Sequence, residues 1–439
     1  MNYAKFFELA KQRGIAESQI QVTKSRAVSI DLFHHDIENY TITDGQSVVA
    51  CGIYNGKFGS ARTERLDAST FDHLINQIIK AASHSEKPDA QPLFQGSEKY
   101  HKKNVYCPEL AAIPLEKKLA DLREFENEVY AQDSRVVEVE AGYSEREASF
   151  EFYNSHGLKL KQKRNFFLFG VYAVANDGKE AKTNYEVAFG ADYSAVDFKA
   201  LAKKAVDGAV AKFGGESIKS KKYPTVLRYD IAAAFVDAFL SSAVADEVQR
   251  HSSLLEGKLG QKVASSKLTI EERPLTKNIF FSYFDDEGVA SYNKTVVKNG
   301  VLQTYFYNRE TAAKDGVEST GNGMWEGSRI GTGYSNIYVK PGKADFATLI
   351  APIKDGVYIT DIAGLGTGMN ARSGDFSCQA EGFHIVDGKL AEPLTLITLS
   401  GNLLKMFGDL KGFADNLTLT SGGTQIADCY IKSMNIGGK

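Results

Sequence analysis

The feature that most constrains the fold is a series of short segments in which apolar and polar residues alternate. Early examples are residues 27–34, 40–43 and 48–54, and the dipeptides Asp44-Gly45 and Asn55-Gly56 follow the second and third of them. Alternation with period two indicates strands with one buried face, and Asn-Gly or Asp-Gly beside such segments is a strong hairpin signal. The sequence therefore predicts an antiparallel meander with turns at both dipeptides.

Helices are predicted on either side of this meander, and the same order then returns. Apolar residues at helical spacing predict helices over 3–13 and 71–83, and a polar, proline-containing stretch over 85–113 reads as a linker. The second round has these predicted elements: helix 114–130, strands 136–143, 148–154, 159–175 and 183–190, and helix 198–213. We predict an N-terminal α+β domain over 1–220, built from two units, 1–84 and 114–214, which repeat element order but no residue pattern.

A run of glycine, serine and lysine at residues 214–222 marks the boundary to a second domain over 221–439. This domain opens with two helical patterns between Tyr229 and Ser266, with Asp230 as the N-cap of the first. Short strands with glycine turns follow, including a hairpin at Asn299-Gly300. The fold class is therefore α+β, with a β-rich barrel or sandwich and a helix pair against it.

Composition excludes several classes of protein. The 439 residues carry a net charge of −3, which gives no general attraction to nucleic acid. The four cysteines are widely spaced with no C-x-x-C, and neither a signal peptide nor an apolar run of membrane-spanning length is present. The sequence predicts a cytoplasmic protein, without a membrane partner and with nucleic-acid binding disfavoured.

Local patterns offer few catalytic candidates. Glu247 and His251 stand four residues apart in a helical pattern and could face one metal ion, although no third ligand is evident. The acidic run Asp285-Asp286-Glu287 precedes a glycine and favours a turn that hydrogen-bonds its own backbone, because consecutive strand residues point to opposite faces. Cys378 and His384 lack an identifiable orienting partner.

The densest glycine cluster is Gly364–Ser377, and its spacing is not that of a dinucleotide-binding loop. It could let a ligand approach the backbone closely, or it could form a tight β loop. The predicted cleft-lining residues of this loop are Asn370, Ser373, Gly374 and Asp375.

Five blocks of the C-terminal half carry a family resemblance: SSLLEGKLGQKVAS, FDDEGVASYNKTVVKNGVLQTYFYN, STGNG, SGDFSCQAEGFHIVDGKLAEP and ITLSGNL. Together they resemble the TldD/PmbA family, whose members are described as modulators of DNA gyrase and as a zinc-peptidase system. The TldD branch carries an H-E-x-x-x-H helix motif and a cysteine ligand near its C-terminus. The PmbA branch, also called TldE, lacks these residues and is the partner subunit.

Aligned without gaps on Gly257–Gly260, the motif falls on residues 236–241. Its two histidines and glutamate are then replaced by Val236, Ser241 and Asp237, and the cysteine position falls near Ser421. Valine and serine cannot replace imidazole ligands of zinc. The chain thus resembles the PmbA branch, which implies a role but no metal ligands.

The resemblance implies the metal-free subunit of a heteromeric metallopeptidase that acts on unfolded peptides. No cofactor is expected in this chain, zinc is expected in a TldD-like partner, and the isolated chain is expected to be inactive. A homodimer stays open. Two alternatives also remain: an active peptidase with a degenerate metal site that uses Glu247 and His251, and a non-enzymatic protein that modulates DNA gyrase or another partner.

Overall fold

The computed structural model describes residues 3–67, 69–86 and 90–439, and the elements below are those of the described residues. The α-helices are α1 (Ala4–Gln12), α2 (Thr70–Ser83), α3 (Pro108–Ala112), α4 (Leu115–Gln132), α5 (Phe198–Val210), α6 (Tyr229–Ser241), α7 (Ala245–Gln249), α8 (Arg309–Asp315), α9 (Phe346–Ile350), α10 (Leu365–Gly368) and α11 (Leu403–Gly408). The strands are β1 (Ile15–Phe33), β2 (Asp36–Tyr54), β3 (Lys57–Thr63), β4 (Val136–Asn154), β5 (Lys159–Asn176), β6 (Ala181–Gly190), β7 (Lys221–Leu227), β8 (Ile270–Glu272), β9 (Lys294–Lys298), β10 (Val301–Leu302), β11 (Gly323–Glu326), β12 (Arg329–Thr332), β13 (Ile337–Val339), β14 (Asp355–Ala363), β15 (Asp375–Val386), β16 (Lys389–Asn402), β17 (Leu410–Phe413), β18 (Thr418–Leu419), β19 (Thr424–Ile426) and β20 (Cys429–Gly437).

The two predicted meanders join in one antiparallel sheet with strand order β3-β2-β1-β4-β5-β6. Helices α1 and α2 cover one half of a face, where Phe6 and Ile78 pack on Ile20. Helices α4 and α5 cover the other half, where Phe125 packs against Phe169. Alternating side chains of each strand bury against these helices, which explains the period-two pattern of the sequence.

The predicted turn at Asp44-Gly45 is wrong, whereas the turn at Asn55-Gly56 is confirmed. Asp44 and Gly45 lie inside β2, opposite Arg26 and Ser25 of β1. The long hairpin reverses at 34–35, where two histidines adopt positive φ angles of 50° and 67°. The pairing partner extends past the dipeptide and holds it extended, so the local turn preference is overridden. For the same reason 136–143 and 148–154 form the single strand β4.

The C-terminal region contains a closed barrel. Strands β16, β15, β14, β7 and β20 pair in that order, and β16 also pairs with β20, which closes the ring. Helix α6 buries Phe235 and Phe239 in the same core, and their rings contact Phe376 and Phe407. The predicted α+β class with a β-rich barrel is confirmed.

The predicted helix pair is only partly present. Its second member, α7, is five residues long and ends at Gln249, and the chain to Ser266 is largely turns and loops. The N-cap of α6 is Arg228 rather than Asp230; Asp230 lies in the first turn, where its carboxylate receives both the guanidinium of Arg228 and the N–H of Ile231. A carboxylate there still favours the helix N-terminus electrostatically.

Another sheet, with order β10-β9-β8-β13-β19-β18, is built from segments that lie between strands of the barrel in the sequence. The segment that contains the acidic run docks on the uncovered face of the N-terminal sheet, where Phe284 contacts Phe152 and Gln162 Nε2 donates to the Phe281 carbonyl at 2.7 Å. The two predicted domains thus share an extensive contact. The boundary near residue 220 and a duplication of the first domain stay predictions. No helix among the described residues is long and apolar enough to cross a membrane.

Candidate functional site

The positions predicted to correspond to the zinc motif lie on α6, and they have different environments. Val236 is fully buried in the barrel core, while Asp237 and Ser241 are exposed on the next faces of the helix. The backbone carbonyl of Asp237 accepts a 3.0 Å hydrogen bond from Tyr334 Oη, and Ser241 Oγ donates to the Ala238 carbonyl at 2.8 Å. Helix periodicity therefore turns the first motif position inward and leaves the other two free to face a cleft.

The position predicted to correspond to the cysteine ligand, near Ser421, lies on a tight turn. Ser421 is exposed between β18 and β19, and β19 packs against α6. Gly423, with φ of 90°, lies so close to Phe280 that a Cβ there would be 3.2 Å from the ring. Because Phe280 and Tyr334 both line one cavity, α6 and this turn border that cavity together.

The donor set at these positions does not fit a zinc ion. Valine supplies no donor, the Ser241 hydroxyl is already bonded to its own helix, and Asp237 is the one carboxylate. Zinc sites in proteins need three or four imidazole, thiolate or carboxylate ligands. Elsewhere in the residues that the structure describes, no three His, Cys, Asp or Glu side chains are grouped so that they could hold a metal ion.

The cavity has a volume of about 270 Å³ and lies between the N-terminal sheet and the segment 272–335. Its floor is a buried polar network in which Glu272 receives Asn322 Nδ2 at 2.9 and 3.1 Å and the Ser335 N–H at 2.9 Å. Lys294, 8% exposed, also bonds this carboxylate and reaches Asn322 Oδ1 at 3.2 Å. These groups satisfy one another, so the floor is rigid and close to neutral.

The acidic run forms a wall of this cavity, and its geometry agrees with the predicted turn. Asp285 Oδ1 accepts the N–H groups of Glu287 and Val289 at 2.9 Å, and its Oδ2 accepts the N–H of Gly323 at 2.8 Å. Asp286 Oδ2 accepts the Trp325 N–H at 2.9 Å. Burial raises the pKa of Glu287 to about 7 and also raises the pKa of Asp285 and of Asp286. Asp285 and Asp286 thus fix the backbone of their own turn and of β11, whereas Glu287 accepts the N–H of Arg309 at the start of α8.

The predicted cleft-lining loop is satisfied internally. Asn370 Oδ1 accepts the Ser373 N–H at 3.0 Å, and Ser373 Oγ donates to Asp375 Oδ2 at 2.8 Å. Asn402 Nδ2 bonds both the Ser373 carbonyl and Asp375 Oδ1. The structure therefore brings Asn370, Ser373 and Asp375 together around the buried Gly374. The geometry is that of a tight β loop, and its contact with a peptide stays a prediction.

Glu247 and His251 are not brought together as metal ligands. The helix ends before His251, whose φ of 59° turns its ring away, and the ring lies 2.6 Å from Glu256 instead. Glu247 accepts the Ser252 hydroxyl at 2.6 Å. The helical spacing assumed from the sequence is therefore wrong at this point.

Cys378 and His384 also lie apart. Cys378 faces the barrel core, and burial raises the pKa of its thiol to about 11. The ring nitrogens of His384 lie 2.8 Å from Asp355 Oδ1 and 2.5 Å from Glu392 Oε1, across three neighbouring barrel strands. This histidine links strands β14, β15 and β16 through two carboxylates.

Sequence reasoning missed Arg164, a charged residue of the cavity. Arg164 ends the basic run 159–164, in which Lys161 and Lys163 face solvent and pair with Glu151 and Glu147. Arg164 points to the opposite face and lines the cavity. The signal was the alternation of β5, which separates Gln162 and Arg164 from the lysines although all are polar.

Comparisons with known proteins agree with this architecture. Models of the PmbA/TldA metallopeptidase central domain and C-terminal domain match residues 108–213 and 220–438. A metalloprotease from Methanothermobacter thermautotrophicus is 32% identical over 84% of this chain and 82% of its own length. This chain belongs to the PmbA/TldD family. The metalloprotease PmbA homolog of Haemophilus influenzae is 24% identical over 98% of this chain and 94% of its own length.

Solved structures of the family share the whole fold. A protein named as a modulator of a DNA gyrase from Thermotoga maritima superposes with a TM-score of 0.91 at 27% identity, over 99% of both chains. TldE from Thermococcus kodakarensis superposes with a TM-score of 0.87 at 20% identity, again over 99% of both chains. The family resemblance inferred from the sequence blocks is confirmed.

Proposed function

We propose that this chain is the metal-free subunit of a heteromeric metallopeptidase that acts on unfolded peptides. The observation that carries the proposal is the donor set at the motif positions, where Val236, Asp237, Ser241 and Ser421 stand in place of metal ligands. Without imidazole or thiolate groups there is no means to hold zinc and lower the pKa of a bound water. The peptidase activity named for relatives then requires a second, metal-binding chain.

The cavity beside α6 supports a role in peptide handling. Strand β12 pairs with β11 on one side, and no partner occupies its other edge among the residues that the structure describes. Such an edge can accept an extended peptide by backbone hydrogen bonds, which selects for conformation more than for side chains. We infer that this chain helps to enclose the partner's zinc site and restricts entry to extended chains.

The deciding experiment is recovery of the tagged chain from its own cells, followed by mass spectrometry of what accompanies it. We expect a stoichiometric companion that carries H-E-x-x-x-H. The purified complex should contain zinc and cleave an unfolded peptide in a chelator-sensitive manner, whereas this chain alone should do neither. Recovery of the chain alone, or only with itself, would refute the heteromer.

The same preparation tests the alternatives. A degenerate metal site predicts stoichiometric zinc in the isolated chain, although the separation of Glu247 from His251 removes the candidate ligands for it. A role as a modulator, the name carried by the Thermotoga relative, predicts gyrase subunits in the recovered complex. A homodimeric binding protein predicts self-association without zinc.

A further inference from the structure

The cavity contains an arginine whose hydrogen-bonding capacity is unused. Within residues 3–67, 69–86 and 90–439, the guanidinium of Arg164 donates no hydrogen bond and forms no ion pair. Its neighbour on the same strand face, Gln162, is anchored to the Phe281 carbonyl. Arg164 is therefore held at the cavity wall by its strand, and not by a partner for its charge.

The side chain of Arg164 is also half-buried. Burial lowers the pKa of Arg164, and so does the like charge of Arg146, while Asp286 opposes the shift. A desolvated charge without a partner is costly, and proteins normally pair such groups. An arginine kept in this state at the edge of a cavity indicates that its acceptor comes from outside the chain.

Apolar side chains and internally paired polar groups form the other walls of the cavity, so Arg164 is the residue that offers unused N–H donors to a ligand. Phe150, Phe280, Phe284 and Met324 supply apolar surface, and the Glu272 network of the floor is internally paired. Low polarity around a charge strengthens its hydrogen bonds to a ligand. A ligand therefore needs an acceptor group for Arg164 and an apolar or backbone portion for the remaining walls.

We propose that this cavity binds the carboxylate of a peptide through the guanidinium of Arg164. The planar fork of arginine matches a carboxylate with two parallel hydrogen bonds. Asp285 and Asp286 share the cavity, and their raised pKa values reduce the repulsion that they exert on an entering anion. The choice of a peptide as the ligand rests on the proposed function, whereas the choice of a carboxylate rests on Arg164 alone.

The carboxylate can come from the C-terminus of the peptide or from an acidic side chain, and three probes separate these sources. They are a short N-acetylated alanine peptide with a free C-terminal carboxylate, the same peptide as its amide, and the amide with one internal glutamate. Binding of each to the isolated chain is measured by ligand-observed NMR titration. We expect the plain amide to bind at least about tenfold more weakly than one of the carboxylate probes.

Two matched variants test the assignment to Arg164. Arg164→Met should abolish the preference for the carboxylate probes, whereas Arg146→Gln, on the exposed neighbouring position of the sheet, should retain it. The thermal midpoint of Arg164→Met should equal or exceed that of the wild type, because the substitution removes a desolvated and unpaired charge. A clear fall of this midpoint would show that the guanidinium has a structural partner and would overturn the proposal.

Equal binding of the amide and the carboxylate probes, or no binding of any probe, would also refute it. If Arg164→Met instead prevents recovery of a protein companion and leaves peptide binding unchanged, Arg164 belongs to a subunit interface and the peptide assignment is wrong. The probes are tested on the isolated chain, so peptide binding can be judged even if no heteromer exists. Equally, the heteromer can be tested even if no probe binds.

Discussion

Lys294→Met removes the ammonium group from the buried network of the cavity floor, and we expect it to destabilise the protein by ~3 kcal/mol. Removal of one partner from a buried ion pair costs about 3–5 kcal/mol, because the other charge is left uncompensated. Here Glu272 keeps three hydrogen bonds after the change, two from Asn322 Nδ2 and one from the Ser335 N–H. The cost should therefore fall at the lower end of that range.

Substitution of the other partner of the ion pair, Glu272→Leu, should reduce the stability of the protein more, by ~5 kcal/mol. It leaves the ammonium of Lys294 with a single hydrogen bond, to Asn322 Oδ1 at 3.2 Å, and it leaves the Ser335 N–H without its acceptor. The double variant Glu272→Leu/Lys294→Met removes both charges. It should be more stable than Glu272→Leu alone, because neither charge remains buried without a partner.

The four proteins are compared by chemical denaturation, followed by the emission of Trp325. This is the chain's single tryptophan, and its backbone N–H bonds Asp286 in the cavity wall, so the probe reports local unfolding. The expected order of midpoints is wild type, Lys294→Met, Glu272→Leu, with the double variant above Glu272→Leu. A denaturation midpoint of Lys294→Met at or below that of Glu272→Leu would refute the reasoning. So would a double variant whose loss of stability equals the sum of the losses of the two single variants.

Three further predictions address the barrel, the thiols and the turns. Burial of the His384 ring lowers its pKa, but hydrogen bonds to two carboxylates outweigh burial and raise the pKa above its ordinary value. The stabilisation that His384→Asn removes should therefore be complete below about pH 6.5 and be lost as the pH rises through the higher folded pKa. Equal destabilisation at pH 6 and pH 9 in thermal scans would contradict this prediction. Cys107 should be the first thiol labelled by a disulfide reagent in the native protein, because the three other cysteines are buried, and Cys107→Ser should remove this labelling. Gly300→Ala should destabilise the protein by well over ~1 kcal/mol, because Gly300 has a φ of 81° and an added Cβ would lie 2.3 Å from a backbone oxygen. The control Gly316→Ala, at a similar φ of 67° but with no atom within 4 Å of the added Cβ, should cost ~1 kcal/mol. Equal losses of stability in denaturation would show that φ strain alone matters.

The positions of most elements could be predicted because they depend on neighbours in the sequence. The Asn55-Gly56 and Asn299-Gly300 hairpins are built by two residues that tolerate positive φ, and both are present. The amphipathic helices 71–83 and 198–213 likewise follow from one apolar stripe each, and the structure has them within a few residues. The family could be read from short blocks of sequence alone, whereas the positions that replace its metal ligands stay a prediction.

The errors occurred where a distant strand decides the local conformation. Asp44-Gly45 is a turn dipeptide by composition, but the residues that hold it extended, Arg26 and Ser25, lie on β1, almost twenty residues earlier. His251 is four residues from Glu247, but the chain leaves the helix between them. In both cases tertiary hydrogen bonds outweigh a local preference that is worth only about 1 kcal/mol or less per residue.

For the candidate site, too, some features follow from residue type alone and others depend on contacts between distant parts of the chain. The sequence by itself predicts that zinc ligands are missing at the motif positions, because residue type sets what can bind a metal. Only the tertiary structure decided that Arg164 of the N-terminal sheet lines the same cavity as Glu272 and Tyr334. It also decided that the guanidinium forms no hydrogen bond or ion pair with the part of the chain that the structure describes. The contact joins residues more than a hundred positions apart, and the physical reason is that burial and pairing are properties of neighbours in space, which a single sequence does not specify.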